Sequence, residues 1–95
     1  MRITEKDLTA QCNRLNVMTN SPMKPYEKNA EGKYVAQIGC YHLDMAYGGY
    51  ELVRIVNDGG GVTCPLRTGH VTKKELYNLI ASYIYGLEAS KEVSQ

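Results

Sequence analysis

Two glycine clusters, Gly48-Gly49 and Gly59-Gly60-Gly61, bracket the run Tyr-Glu-Leu-Val-Arg-Ile-Val-Asn at residues 50–57. Glycine takes positive φ without steric cost, so each cluster reads as a tight reversal or as a close approach of backbone to another group. A β-branched run between two reversals predicts the middle strand of a small antiparallel sheet. Asn57-Asp58-Gly59 strengthens the second reversal as a hairpin turn. The stretch from Ala46 to His70 is therefore the part around which the chain is organised.

Helices flank it. Thr4 is a good N-cap, Asp7 stands at N3 in a capping-box-like position, and Ile3 and Leu8 have the spacing of a hydrophobic staple. Leu8, Cys12 and Leu15 then fall on one narrow face, which predicts a helix over 4–17 that covers a core. The second helix, over 72–87, carries the stronger signal. Thr72 and Glu75 form a T-x-x-E box, Val71 and Leu76 a staple, and Leu76, Leu79, Ile80, Tyr83, Ile84 and Leu87 a broad apolar stripe. Residues 88–95 are polar and read as a frayed tail.

Between the helices, residues 19–32 read as a long loop punctuated by Asn-Ser-Pro, Lys-Pro and Asn-Ala-Glu-Gly, with Met23 and Tyr26 apolar enough to pin it. Sheet occupies 33–66. Lys33–Leu43 is a first strand with a bulge or close packing at Gly39, Tyr50–Asn57 a second, and Gly61–Leu66 a short third. Pro65 lacks an N–H, which sends the third strand to an edge. The order is α-β-β-β-α, an α+β fold in one domain over 1–95, with a three-stranded antiparallel sheet packed against both helices.

Ninety-five residues bury roughly 60–65% of their unfolded surface, a modest core that association with further copies would supplement. A formal charge of +1 is too neutral for a dedicated polyanion-binding arm. Eight Tyr without any Phe or Trp suit half-buried surfaces, interfaces and pockets, or simply line the sheet. Cys12, Cys40 and Cys64 match no zinc or C-x-x-C spacing and read as small buried hydrophobes in a reducing compartment. The charged, helix-like start is no signal peptide and no apolar run is long enough to span a bilayer, so a cytoplasmic protein with no membrane partner is expected.

The chemistry inventory points away from an enzyme. There is no nucleophile elbow, no phosphate loop, no metal-ligand cluster and no cofactor motif. Cys40 and His42 share a strand face, more in keeping with a core cysteine and a partnered histidine than with a nucleophile pair, and Asp44 and Glu51 can approach across the first hairpin. Binding features are better marked. Lys73 and Lys74 occupy the first turn of the second helix, after Arg67 and His70. Free N–H groups and the helix dipole attract anions there, so two cations suit phosphate or acidic groups docking nearby, unless both are solvated and Glu75 offsets their cost. Arg54 reads as a second phosphate ligand or as a partner of Glu51 or Asp58. Tyr47 offers a ring to stack on a base, and the Asn57 turn either cradles an anion in its N–H groups or is only a hairpin turn. Two classes follow: a pocket for a small phosphorylated nucleotide, or direct binding of a macromolecule. The element order and Lys73-Lys74 are shared with double-stranded RNA-binding domains, but the near-neutral charge argues against them.

The stretch YHLDMAYGGYELVRIVNDGGGV followed by GHVTKKELYNLIASYIYGLE resembles small proteins encoded by phages and prophages. More specifically it is similar to the phage Thoeris anti-defence sponges, which sequester cyclic ADP-ribose-type signals. The similarity rests on the A-Y-G-G turn, the V-N-x-G-G-G turn and the basic-E-L-Y helix start, over about half of the chain. It implies a non-enzymatic protein that holds a cyclic nucleotide-type ligand without cleaving it, in pockets between subunits of a homo-oligomer. Its ligand contacts would map to Tyr47, Asn57, Lys74 and Asn78. Lys74 and Asn78 depart from the arginines the family favours, and lysine gives a point charge where arginine gives a fork. Arg54 would add phosphate or ribose contacts, with Arg67, His70 and Lys73 as further candidates. The alternative is a small phage regulator that binds a host defence protein or nucleic acid directly.

Overall fold

The computed structural model describes residues 2–93. Helix α1, Glu5–Met18, begins as its sequence predicts. Thr4 Oγ1 accepts from the Asp7 N–H at 3.3 Å and the Asp7 carboxylate accepts from the Thr4 N–H at 2.8 Å. The staple residues Ile3 and Leu8 are both buried in one core cluster. Helix α2, Lys73–Val93, starts with Thr72 Oγ1 accepting from the Glu75 N–H at 3.2 Å, and its staple residue Leu76 is fully buried.

Three strands form the main antiparallel sheet, numbered here after the short strands β1, Tyr26–Lys28, and β2, Tyr34–Ala36. They are β3, Tyr41–Ala46, β4, Gly49–Ile55, and β5, Val62–Thr63. The sheet order β3-β4-β5 places β4 in the middle and β5 at an edge, where Pro65 stops it after two residues. The architecture is α+β: two helices and a three-stranded antiparallel sheet, joined by a small two-stranded ladder. Side chains alternate across each strand. Tyr41 and Leu43 of β3, with Tyr50 and Leu52 of β4, face Leu8, Leu15, Leu76 and Ile80 of the helices in a single cluster. On the opposite face Val53 and Ile55 are also buried, Ile55 in a second cluster with Ala36 and Cys40, while Glu51 on that face accepts from the Gly69 N–H.

Four sequence expectations need correction. The strand expected over Lys33–Leu43 is two strands in two sheets. Gly39 has φ +96°, and the chain turns there, with the Gly39 N–H donating to Ile55 O at 2.8 Å and the Ile55 N–H to Cys40 O at 3.0 Å. This corner replaces the expected bulge. The long loop over 19–32 contains β1, which pairs antiparallel with β2. All three β1 residues are exposed, so no alternation betrays the strand; Met23 and Tyr26 stay largely exposed and do not pin the segment by burial. The strands flanking the second turn are shorter than expected, ending at Ile55 and spanning only Val62–Thr63. The last helix does not stop near Leu87 but runs to Val93. Gly86 faces solvent, where glycine costs only about 1 kcal/mol relative to alanine, and an Arg14–Glu88 ion pair ties the extension to α1. Residues 94 and 95, in the stretch expected to fray, lie outside the described residues.

Asn16, skipped by an apolar count, is 1% exposed. Its side chain mimics a strand: Oδ1 accepts from the Tyr41 N–H at 2.7 Å and Nδ2 donates to Tyr41 O at 3.1 Å. The helix thereby pins the first residue of β3.

The core also sets an alkaline limit. Burial, with Cys40 close by, pushes the Cys12 thiol from 9.0 up to about 12. Burial and the Tyr83 hydroxyl, at 3.0 Å, raise the Tyr41 phenol as well. A raised folded-state pKa contributes stability that is complete below the unfolded value and is lost as pH climbs through the folded one. The contribution of these groups to the unfolding free energy is therefore expected to be flat through neutral pH and to fall from about pH 9 towards 12. Urea titrations at stepped pH check this, and Cys12→Ala should flatten the first part of the decline.

Candidate functional site

The β3–β4 hairpin closes through two residues, Tyr47 and Gly48, with φ of +55° and +73°. Positive φ at both central positions is the type I′ geometry, which favours Asn-Gly and which a bulky aromatic enters at a cost. Tyr47 sits there 99% exposed, and its ring meets His70 edge-on with centroids 6.0 Å apart. Behind the turn the chain returns to the hairpin at a single bridge: the Tyr50 N–H donates to Val71 O at 2.8 Å and the Val71 N–H to Tyr50 O at 2.9 Å. That bridge brings the start of α2 to the hairpin tip, with Lys73 Nζ 5.9 Å from the Tyr50 ring and Lys74 exposed one residue further on. A hollow of about 240 Å³ lined by Met45, Ala46, Gly48, Gly49 and Tyr50 lies beside it.

Tyr47, His70 and Lys73 are thus brought to one end of the hairpin, with Lys74 beside them on α2. Asn78, one turn along α2, is exposed, as is Arg67, which has φ +51°. Arg54 and Asn57 are not at this end. They lie at and beyond the far end of β4, about 20 Å away at ~3.3 Å per residue. Arg54 is already engaged there: Nε donates to Gly39 O at 3.0 Å, Nη2 to Ser21 Oγ at 3.4 Å, and the guanidinium stacks 4.6 Å over the Tyr41 ring. Neither partner anticipated for it is used, and Glu51, three residues away, projects from the other face of β4. Asn57 turns its Oδ1 inward to accept from the Gly59 and Gly61 N–H groups at 3.0 and 2.9 Å. A single copy of the chain therefore does not collect the ring, the turn amide and both cations around one hollow.

Sequence spacing missed a second constellation. The register pairs Asp44 with Glu51 directly across the hairpin, and His70 joins them, its Nε2 2.7 Å from Asp44 Oδ2. One donor atom from each of the three lies within 4.8 Å of the others, although metal-ligand spacing is absent from the linear sequence. Glu51 is buried and accepts from the Gly69 N–H at 3.1 Å. Cys64, expected to be a buried hydrophobe, is only half-buried and lies beside this carboxylate; burial and then Glu51 push its thiol up. The Asp44–Glu51 approach was readable from the hairpin; the arrival of His70, 26 residues from Asp44, was not.

Cys40 and His42 do not form a pair. Cys40 Sγ takes Asn16 Nδ2 at 3.6 Å and donates to Tyr41 O at 3.5 Å, its thiol is raised by burial, and His42 Nε2 is buried without a partner among the described residues. A larger groove of about 430 Å³ lies between α1 and α2, where Gln11 Nε2 donates to Tyr77 O at 3.0 Å and Gln11 Oε1 is buried and unpartnered. The Arg14–Glu88 ion pair lies in the same groove, and none of the candidate residues lines it. Among the described residues no helix is long and apolar enough to cross a membrane. The chain matches no family model, no curated protein and no solved structure.

Proposed function

We propose that this is a non-enzymatic phage-type binding protein that captures a cyclic nucleotide-like immune signal in the host cytoplasm and holds it uncleaved, blunting the host defence. The observation that carries the reading is Tyr47: a fully exposed aromatic in a left-handed turn position where asparagine or glycine is the stable choice. Unfavourable backbone at an exposed aromatic argues for a role in contact with a ligand. His70 backs the ring from one side, and Lys73 and Lys74 place positive charge where the helix dipole already favours phosphate. Since Asn57 stands beyond the other end of β4, a pocket that uses it together with Tyr47 is formed by two copies, the hairpin tip of one meeting the β4–β5 turn of the other, while Arg54 stays committed to Gly39, Ser21 and Tyr41. Association of that kind also supplies burial that a chain this short lacks.

Calorimetry with a panel of cyclic nucleotides and cyclic ADP-ribose isomers, paired with the native mass, tests this. One ligand class should bind, and denaturing the complex should return it chemically intact. Base–aromatic stacking contributes about 1–3 kcal/mol, so Tyr47→Asn should weaken binding about ten- to a hundredfold. The same substitution installs the favoured Asn-Gly turn and should raise stability by about 0.5–1 kcal/mol. Loss of binding with gain of stability separates a ligand contact from a structural residue. No heat with any ligand of the panel would sink the reading.

A second reading has one observation in its favour. Tyr34 and Ile38, 68% and 58% exposed, project apolar surface from the β2 segment, with Tyr26 on the neighbouring strand. A stable complex with a host defence protein that Tyr34→Ser abolishes, with no nucleotide bound, would favour a direct regulator or inhibitor.

A further inference from the structure

Asp44 and Glu51 are placed directly opposite each other on adjacent strands, an arrangement that destabilises a sheet when both carry the same charge. Glu51 is 8% exposed, and among the described residues no lysine or arginine pairs with either carboxylate. The group that does reach Asp44, with a donor atom within 4.8 Å of Glu51 as well, is an imidazole, His70, which carries charge only when protonated. A buried carboxylate without a cation is costly, and sheets do not place a second one across from it without compensation.

The same three side chains have the donor set of a transition-metal site: two carboxylate oxygens and an imidazole nitrogen. Their donor atoms fall within 4.8 Å of one another. Metal–ligand bonds of about 2.0–2.2 Å in a tetrahedral arrangement require ligand atoms about 3.4 Å apart. The present His70–Asp44 separation of 2.7 Å must open slightly, and the widest must close by little more than an ångström. The backbone beneath is already fixed. Asp44 and Glu51 are locked by strand register, one Glu51 oxygen is oriented by the Gly69 N–H, and His70 precedes the Tyr50–Val71 bridge. Pre-set ligands of this kind are what a metal site needs.

We infer that Asp44, Glu51 and His70 form a mononuclear divalent-metal site that takes Zn²⁺ through one oxygen of each carboxylate and Nε2 of the imidazole, with water in the remaining position. The imidazole selects zinc over calcium and magnesium, which prefer oxygen alone. Cys64 stays outside the coordination shell, beside Glu51. The ion offsets the like-charge pair and fastens the Cys64–His70 strap to the hairpin whose tip carries Tyr47. It does not depend on the nucleotide reading, and its test uses no nucleotide.

Metal-free protein titrated with zinc chloride in a calorimeter should saturate at one ion per chain. The thermal midpoint should rise with zinc or cobalt and not with calcium or magnesium. Cobalt should give the intense visible bands of a low-coordinate site, without a thiolate charge-transfer band. Asp44→Asn and His70→Ala, at partly exposed positions, should each weaken zinc at least tenfold, and Cys64→Ser should leave it unchanged. No saturable binding, or binding that survives the Asp44→Asn/His70→Ala double variant, overturns the assignment. So does loss of binding in Cys64→Ser.

Discussion

Asn16→Ala should lower the unfolding free energy by about 4 kcal/mol, because it strands the N–H and C=O of Tyr41 together, each costing roughly 1–3 kcal/mol when buried and unpaired. Both groups bond to the Asn16 amide, which is almost wholly out of solvent, so truncation leaves the two of them without their protein partner. For a chain of this length that corresponds to a drop in melting temperature of about 20 °C. Asn16→Asp should be no better, since it keeps the acceptor, loses the donor and buries a charge. Urea unfolding gives the energy, and amide exchange locates it: Tyr41 should lose protection first. A cost below 1 kcal/mol would mean that β3 is held by its pairing with β4 alone.

Gly49→Ala should cost about 2 kcal/mol and act on the site as well as on the fold. A Cβ on Gly49 would lie 2.9 Å from the His70 carbonyl carbon and 3.1 Å from its Cβ. The obstacle is backbone, so no side chain can swing aside, and overpacking of this kind typically costs about 1–3 kcal/mol. Relief comes from pushing the 69–71 segment off the hairpin, which breaks the Tyr50–Val71 bridge and withdraws His70 from Asp44 and Tyr47. Gly48→Ala is the matched control. No atom lies within 4 Å of its Cβ, so it pays only for its positive φ. An unchanged His70 resonance environment in Gly49→Ala would show that the segment is not wedged against the hairpin as described.

These residues also show what the chain declares locally and what it does not. Thr4 with Asp7 and Thr72 with Glu75 start helices through contacts three residues long, and the approach of Asp44 to Glu51 follows from their standing on either side of one hairpin turn, although the two-residue turn that pairs them directly does not. Such features are legible because cause and effect are neighbours in sequence. Tyr26–Lys28 shows no alternation because neither face of that strand is buried. Gly39 resembles a bulge until its bond to Ile55, sixteen residues on, reveals a corner. Arg54 sits inside the middle strand that the sequence predicts, yet its partner is decided by the corner at Gly39 and by Ser21, neither of which strand periodicity can see. For the candidate site, the aromatic tip and the basic helix start were each legible in sequence, but the Tyr50–Val71 bridge that brings them to one end of the hairpin was not. The distance of Asn57 and Arg54 from them, and the convergence of His70 on two carboxylates, are tertiary outcomes.

The Asn16 amide has one more consequence. β3 is an outer strand, and by the alternation of an antiparallel ladder its outward N–H and C=O groups belong to Tyr41, Leu43 and Met45. An open strand of six residues invites a neighbouring molecule to add on and propagate. The helix side chain occupies the first of those docking places, leaving a landing strip of only two residue pairs, too short to template a growing fibre. The same amide that anchors the sheet thus keeps crowded copies from zipping together without limit.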